Sequence, residues 1–272
     1  MKKLSIITIC YNEPDLEKTC RSIVNQTWQD FEWIVIDGGS NEETLAIFDK
    51  YKYRIDKFVS EPDNGIYNAC NKGIKLAESE YVQLLNAGDS YYDTKVLEDV
   101  FKEQNYCAGV LYGDQCEVYQ NSNKKCVKKL QPFINKWFFV QFNIHTPAVF
   151  VKRDLYLKYG LFNENYKIVS DFEKWIVFLK NGVNFQYLNR IIANFDKNGI
   201  SSDKKTEALH NKEREEILKQ FYTPEEIRSG RQGFERLNFW ENIFSIKKSL
   251  RESHLIITIM GIHLKLKRSM NV

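Results

Sequence analysis

The sequence predicts a doubly wound α/β fold around a mostly parallel central sheet, followed by a helical C-terminal extension. Three observations carry that reading. The runs Leu4 to Cys10 (LSIITIC) and Phe31 to Asp37 (FEWIVID) are short and rich in β-branched and aromatic residues, the composition of central strands covered on both faces. Between them Leu16, Cys20, Ile23 and Val24 recur at helical spacing. The same alternation then repeats, and strands alternating with amphipathic helices imply right-handed crossovers between parallel neighbours.

Taken in order, the repeat continues with a helix from about Glu42 to Tyr51, a strand near Lys57-Phe58-Val59, a helix from about Ile66 to Ala77 and a strand from Tyr81 to Leu85. Beyond Asp89 the pattern loosens into a helix near Lys95 to Gln104, a strand from Gly109 to Tyr112, and a polar, lysine-bearing stretch from Gln120 to Lys129 that reads as a hairpin or loop. An apolar strand, Pro147 to Val151, precedes a helix opening at Ser170-Asp171-Phe172-Glu173. There Ser170 can cap the first amides, Glu173 holds the reciprocal capping-box position, and Asp171 lies in the first turn. From Asp203 onward the chain reads as helices, Lys204 to Phe221 and then Pro224 to about Phe244. The expected division is a domain over residues 1–202 and an extension over 203–272.

The last stretch, Ile246 to Val272, holds the apolar run Leu255 to Leu264 between Lys247, Lys248 and Arg251 on one side and Lys265, Lys267 and Arg268 on the other. The run is too short for a bilayer span, which takes about 20 apolar residues. Two readings stay open. The segment lies on an anionic membrane surface, or it is a terminal helix or strand docking on the domain or on a second copy of the chain in a homodimer.

Composition sets the outer bounds. With 272 residues, 43% hydrophobic and 14% aromatic, the chain can bury one substantial core. Lys and Arg total 39 against 36 Asp and Glu, and a net charge of +3 gives no ground for a nucleic-acid partner. The cysteines Cys10, Cys20, Cys70, Cys107, Cys116 and Cys126 are scattered without a Cys-x-x-Cys pair. That argues against a structural zinc site or a disulfide framework, and for reduced thiols in the cytoplasm. Met1-Lys2-Lys3 before an apolar run has the outline of a signal peptide, but Tyr11-Asn12-Glu13-Pro14-Asp15 stands where small cleavage-site residues belong. A buried first strand fits better.

In an open parallel sheet, ligands bind beyond the carboxyl ends of the strands. Those ends are polar here: Thr8 to Glu13, Asp37-Gly38-Gly39-Ser40, Ser60 to Gly65, and Asn86-Ala87-Gly88-Asp89. Each is by itself a sound turn with a helix-capping residue, yet four such acidic turns on one edge exceed what caps need. In that order, SIITICYNE, WIVIDGGSNEET, SEPDNGIYNACNKGIKLA and LLNAGD resemble the family 2 glycosyltransferases of the GT-A fold, particularly the small bacterial enzymes of exopolysaccharide and colanic-acid-type pathways. The likeness is strong over roughly the first 90 residues and continues more weakly through HTPAVFVKRDLYLKYGLFNENYKIVSDFEKW to Ile200-Ser201.

The resemblance implies an enzyme that moves one sugar from a nucleotide-diphosphate donor, with inversion at the anomeric carbon, to a saccharide or lipid-linked saccharide acceptor at the inner face of the cell membrane. Residues 1–90 would form the nucleotide-sugar half and 91–202 the acceptor half. Thr8, Tyr11 and Glu13 would line the nucleotide pocket, with Tyr11 stacking near the base, and Asp37 would accept a hydrogen bond from a base N–H. The Asp63-x-Gly65 turn, with Asn71 and Lys72 on the helix after it, would lie beside the ribose and diphosphate. A glycine lets amides approach a phosphate, and a lysine supplies a compact counter-charge.

Many relatives carry Asp-x-Asp-Asp after the fourth strand, whose carboxylates hold a divalent cation (Mn²⁺ or Mg²⁺) on the diphosphate. Here Asn86 and Gly88 replace the first two acids, leaving Asp89 as the metal ligand. Asp171 resembles the family's base, which deprotonates the acceptor hydroxyl on the face opposite the departing nucleotide. The competing reading is a first-turn acid favoured by the helix dipole, which would also lower its pKa unless burial compensates. His145, just before an apolar strand, reads as an aid to acceptor or cation binding, or as a hydrogen-bonded structural histidine. The segment Asn194 to Ser201 resembles the family's Gly-Ile-Ser loop over the diphosphate, with a surface turn as the competing account.

Other classes fit less well. A dinucleotide-binding oxidoreductase needs glycines in the first strand-to-helix turn, and Tyr11 to Asp15 has none. No Gly-x-x-x-x-Gly-Lys-Ser/Thr occurs, and the glycine- and basic-rich first turn of a sugar nucleotidyltransferase is missing too. Processive synthases carry Gln-x-x-Arg-Trp, also absent, so one addition per binding event is expected. The rival from another class is a non-catalytic glycan- or membrane-binding protein on a degenerate transferase fold, supported by the two acids lost beside Asp89.

Overall fold

The computed structural model describes residues 2–119, 124–197, 205–232, 244–248, 254–259 and 262–267. The chain forms two compact units, Met1–Ile217 and Leu218–Val272. The first opens with β1 (Leu4–Cys10), α1 (Leu16–Val24), β2 (Phe31–Asp37), α2 (Glu42–Tyr51), β3 (Lys57–Ser60), α3 (Ile66–Leu76) and β4 (Tyr81–Leu84). Every residue of β1 and β2 is buried, which is why both read as unbroken apolar runs instead of alternating ones. At the sheet's edge β3 does alternate in exposure.

These four strands are parallel, in the order β3-β2-β1-β4. The chain walks outward from β1 to β3, and α3 then carries it back past β1 to β4. That reversal parts the ends of β1 and β4 and opens a crevice between them. Over the sheet α3 lies so close that a Cβ on Gly73 would sit 2.4 Å from Cγ2 of Ile7, so only glycine fits there.

The remaining elements of this unit are β5 (Ser90–Tyr91), α4 (Val96–Phe101), β6 (Val110–Tyr119), β7 (Lys124–Lys128), α5 (Phe138–Gln141), a 3₁₀ turn (Thr146–Ala148), β8 (Val149–Lys152), α6 (Arg153–Tyr159), α7 (Ser170–Lys180), β9 (Phe185–Asp196) and α8 (Glu207–Phe221). They extend the sheet as β4-β8-β6-β9-β5, with β7 on β6. Here the pairing is mixed: β8 is antiparallel to both β4 and β6, β9 is parallel to β6, and β5 and β7 are antiparallel to their partners. The mostly parallel expectation therefore describes the first half, where helices cross between strands, and the second half tempers it. By the same reversals β9 points as β1 and β4 do, so its C-terminal end reaches the same rim. The hairpin expected near residues 120–129 is the β6–β7 pair.

Trp33, Phe101 and Phe150 sit among the largest fully buried side chains of a core that continues through Leu4, Ile6, Leu16 and Ile23. The expected periodicity of α1 is borne out by the burial of Leu16, Cys20 and Ile23. The capping box at Ser170 is not. The cap position falls on Val169 with no side-chain bond, and the Ser170 hydroxyl is buried without a partner among the described residues. Amides at the start of α7 turn instead to the carboxylate of Asp171.

In the second unit the expected helices continue over 224–232, after α8 has crossed from the first. The terminal stretch corrects the helical expectation. It forms β10 (Phe244–Lys248), β11 (His254–Ile259) and β12 (Ile262–Lys267), an antiparallel sheet in sequence order. The cause is visible in the residues: Ile262-His263-Leu264-Lys265-Leu266-Lys267 alternates with period two, and Ile256-Ile257-Thr258-Ile259 is β-branched throughout.

Candidate active site

At the crevice between β1 and β4 lies a cleft of about 650 Å³. From the end of β1 come Tyr11 and Glu13. Tyr11 is 67% exposed at the lip. From the end of β4 come Asn86, Gly88 and Asp89. Helix α1 holds this turn: the Thr19 hydroxyl accepts from the Gly88 amide (2.9 Å) and donates to the Asp89 carbonyl (2.6 Å), while Lys18 Nζ donates to the Gly88 carbonyl (3.1 Å). Gly88 has φ +94°, which sets the residue type, and it lies against the Glu13 carboxyl, which a Cβ there would meet at 3.5 Å.

Asp89 is buried, and one carboxylate oxygen accepts the Asp196 amide at 3.0 Å. Burial pushes its pKa up to about 7; the Asp196 amide and Lys18 oppose the rise, and the charges of Asp196 and Glu13 add to it. Glu13 is raised as well, by burial first and by the neighbouring charges of Asp15 and Asp196. The rim therefore gathers negative charge that its surroundings penalise. Among the described residues no group of three or more His, Cys, Asp or Glu side chains is arranged to hold a metal ion by itself.

Asp63 and Gly65 line the cleft from the loop before α3. Asp63 accepts the Gly65 amide at 2.8 Å, and Gly65, with φ +113°, caps the helix. A Cβ on Gly38 would lie 2.6 Å from Asp63 Oδ2 and 3.5 Å from the Tyr11 ring, so the turn after β2, the Asp63 loop and Tyr11 all converge there.

Across the cleft stands Asp171, in the first turn of α7 as expected, and only partly exposed. Burial lifts it to about 6 against the amides of Phe172 and Asp171, the Tyr67 hydroxyl and the Asn143 side chain, all of which favour the charged form. Burial thus outweighs the helix terminus. His145 also lines the cleft, its ring 4.8 Å from that of Phe195. Burial, then the charge of Lys197, pushes it down to about 4, so it is neutral near pH 7.

Four other expected site residues lie outside the cleft wall. Thr8 is fully buried and accepts from Trp33 Nε1 at 3.1 Å. Asp37 is fully buried beneath the turn after β2; its Oδ2 accepts from the amides of Gly39 and Ser40 and from the Ser60 hydroxyl (2.6 Å), while its buried Oδ1 has no partner among the described residues. Asn71 joins α3 to the segment before α7, bonding both the amide and carbonyl of Phe162 and the Glu164 carboxylate. Lys72 pairs with Glu61 at 2.7 Å and donates to the Pro62 carbonyl. Of the segment Asn194 to Ser201, residues 198–201 lie outside the described residues.

Among the cleft residues not expected from the sequence are Asp196, Tyr67 and Asn143. Asp196 is the last residue of β9, at the same rim as the polar ends of the first four strands, and the polarity of that strand end is its sequence signal. Tyr67 and Asn143 carry no such signal.

The sequence profile of Glycosyl transferase family 2 matches residues 5–159, more than half of the chain. The chain is a family 2 glycosyltransferase. The transferase is 28% identical over 184 residues to a PGL/p-HBAD biosynthesis glycosyltransferase of Mycobacterium bovis, covering 65% of this chain and 70% of that one. It is 26% identical over 206 residues to an uncharacterised glycosyltransferase of Methanocaldococcus jannaschii, covering 71% and 70%. Its fold matches S. aureus TarS, in a crystal structure with UDP-GlcNAc, at TM-score 0.61 and 17% identity over 88% of this chain and 75% of that one. The transferase spans 60% of a longer TarS chain. The mannosyltransferase PcManGT of Pyrobaculum calidifontis, with GDP-Man and Mn²⁺, matches at TM-score 0.51 and 18% identity over 70% and 55%. These structural likenesses establish the GT-A fold. Family membership favours an enzyme over the non-catalytic binding protein. Among the described residues, no helix is long and apolar enough to cross a membrane.

Proposed function

We propose that the transferase moves one sugar per encounter from a nucleotide-diphosphate sugar to a saccharide or lipid-linked saccharide in the synthesis of a bacterial surface polysaccharide, with inversion. The supporting observation is that Asp89 and Asp171 line one cleft. Tyr11 stacks on the base and Asp37 offers its unpartnered Oδ1 to a base N–H, with Thr8 and Glu13 bracing that pocket. Asp63 and Gly65 face the ribose and diphosphate, and Asn71 and Lys72 serve them from behind, Asn71 by tying α3 to the segment that leads to α7. Residues 1–90 form the donor half of a 1–202 catalytic domain and 91–202 its acceptor half.

A divalent cation fits the donor side. Asp89 is a carboxylate raised by burial first and by like charges after it, and a cation that keeps phosphate and water oxygens needs only one or two protein carboxylates. When bound, it neutralises the leaving diphosphate. Asp171 takes the proton of the acceptor hydroxyl as the acceptor oxygen attacks the anomeric carbon, and the bond to the nucleotide diphosphate breaks on the opposite face. A base near 6 is ionised and still basic at neutral pH. His145, held neutral against Phe195, borders the acceptor.

The test is a thermal-shift panel of UDP, GDP, ADP and CDP, each with and without Mn²⁺. A nucleoside diphosphate should raise the melting temperature by several degrees, and more with Mn²⁺. Asp89→Asn should erase the cation-dependent part, whereas binding indifferent to Mn²⁺ in the unmutated chain would remove the metal role. The basic, apolar C-terminus motivates peripheral contact with the inner membrane face, or pairing of two copies. A chain ending at Ile246 that binds anionic vesicles as well as the full chain would exclude the membrane contact.

A further inference from the structure

The base has a partner of its own. Tyr67, on α3, is buried, and its ring packs against Phe162 with centroids 5.4 Å apart. Its hydroxyl lies 2.7 Å from the Ile168 carbonyl and 3.1 Å from Asp171 Oδ1. A phenol carries one hydrogen and two lone pairs. With Asp171 ionised both neighbours are acceptors, and the single hydrogen is divided between them. Once Asp171 is protonated the contact can persist, with its O–H donating to the Tyr67 oxygen, but only as a weaker bond between neutral groups. The same hydroxyl can thus serve the base before and after it collects a proton.

We propose that Tyr67 is the positioning residue of Asp171, its hydroxyl aiming the carboxylate into the cleft and biasing it toward the ionised form. The bias follows because a hydrogen bond to a charged carboxylate is roughly twice as strong as one between neutral groups. Two further contacts make the placement rigid. The backbone beside it is held by Glu213, which accepts the amides of Lys167 and Ile168 at 2.8 and 3.0 Å. On the α3 side, Asn71 bonds the 162–164 segment just upstream.

Other groups around Asp171 do not substitute for this one. Cys70 on α3 and Tyr156 on α6 face it, and burial pushes both upward, so they stay neutral through the relevant range. Tyr67 itself is raised by burial and by the charge of Asp171. His145 and His210 line the same cleft, Glu173 and Lys174 follow on α7, and Arg214 lies over the Phe172 ring at 4.1 Å. The side chains that hydrogen-bond the Asp171 carboxylate are those of Tyr67 and Asn143.

This inference rests on Asp171 being the base, and the test separates the two. Carbon-13 carboxylate titration of the full chain, without ligands, reads Asp171 directly, with Asp171→Asn assigning its signal. Tyr67→Phe keeps the ring packing and should move the Asp171 midpoint upward by about one unit. The acid limb of the transfer-rate profile should follow it. An Asp171 midpoint unchanged in a Tyr67→Phe protein that melts cooperatively overturns the proposal. Full transfer by Asp171→Asn would instead overturn the base assignment, whatever the titration shows.

Discussion

Asp89 and Asp171 share one cleft and are both lifted by burial, but their company differs in kind. Beside Asp89 the charges of Asp196 and Glu13 add to the effect of burial. Around Asp171 the groups that oppose burial are neutral donors: two amides, a phenol and an amide side chain. A carboxylate with two acids beside it and one lysine, Lys18, to offset them gains from a further cation, whereas one among neutral donors tolerates both protonation states and can pass a proton on. Neighbours, more than depth, separate the roles proposed for the two residues.

The largest test of that contrast is Asp171→Asn. It should lower transfer by about 10²- to 10⁴-fold, the range of a lost general base, and leave Mn²⁺-dependent nucleotide binding intact. Comparable losses of both would mean that the two walls do not divide the work.

A smaller effect sharpens the Asp89 side. Its folded value of about 7 lies above the ordinary 3.8, so the native protein holds this proton more tightly than the unfolded chain does. The associated stability is fully present below a pH of about 4 and is lost as the pH rises through about 7. Asp171, at about 6, and Glu13, also raised, push in the same direction. Melting temperatures without nucleotide or cation should therefore fall between about pH 5 and pH 8. Asp89→Asn should flatten that slope and melt higher at the upper end; an unaltered slope would show that Asp89 is not held in an unfavourable charged state.

Much of this architecture was legible in the residues. The strands β1 and β2 were readable because burial on both faces writes an unbroken apolar run, and the turns after β1 and β4 because the crevice of a parallel sheet has a known edge. Asp171 was singled out because Val169-Ser170-Asp171-Phe172 resembles the family's base position, its place in a helix's first turn being the competing account. The contacts that define its surroundings were not. Tyr67 meets it across 104 positions of sequence, and local spacing encodes no such pairing. Asp196 was passed over within a segment read for its glycine. For the terminal stretch a helix and a strand both stayed open within an extension read as helical, because the apolar run from Leu255 to Leu264 hid the period-two alternation beginning at Ile262. Ser170 looked like a cap because its neighbours fit the pattern, yet the acid beside it took the amides.

The lone oxygen on Asp37 has a consequence for donor choice under the proposed role. It is buried and without a partner among the described residues, so under that role the turn after β2 must open to let a base bring an N–H to it. Uracil and guanine present a ring N–H on their pairing edge. Adenine and cytosine present a bare ring nitrogen there and could donate only from the exocyclic amine beside it. Selection among the four nucleotides would then turn on which donor meets that oxygen, a ring N–H or an exocyclic amine.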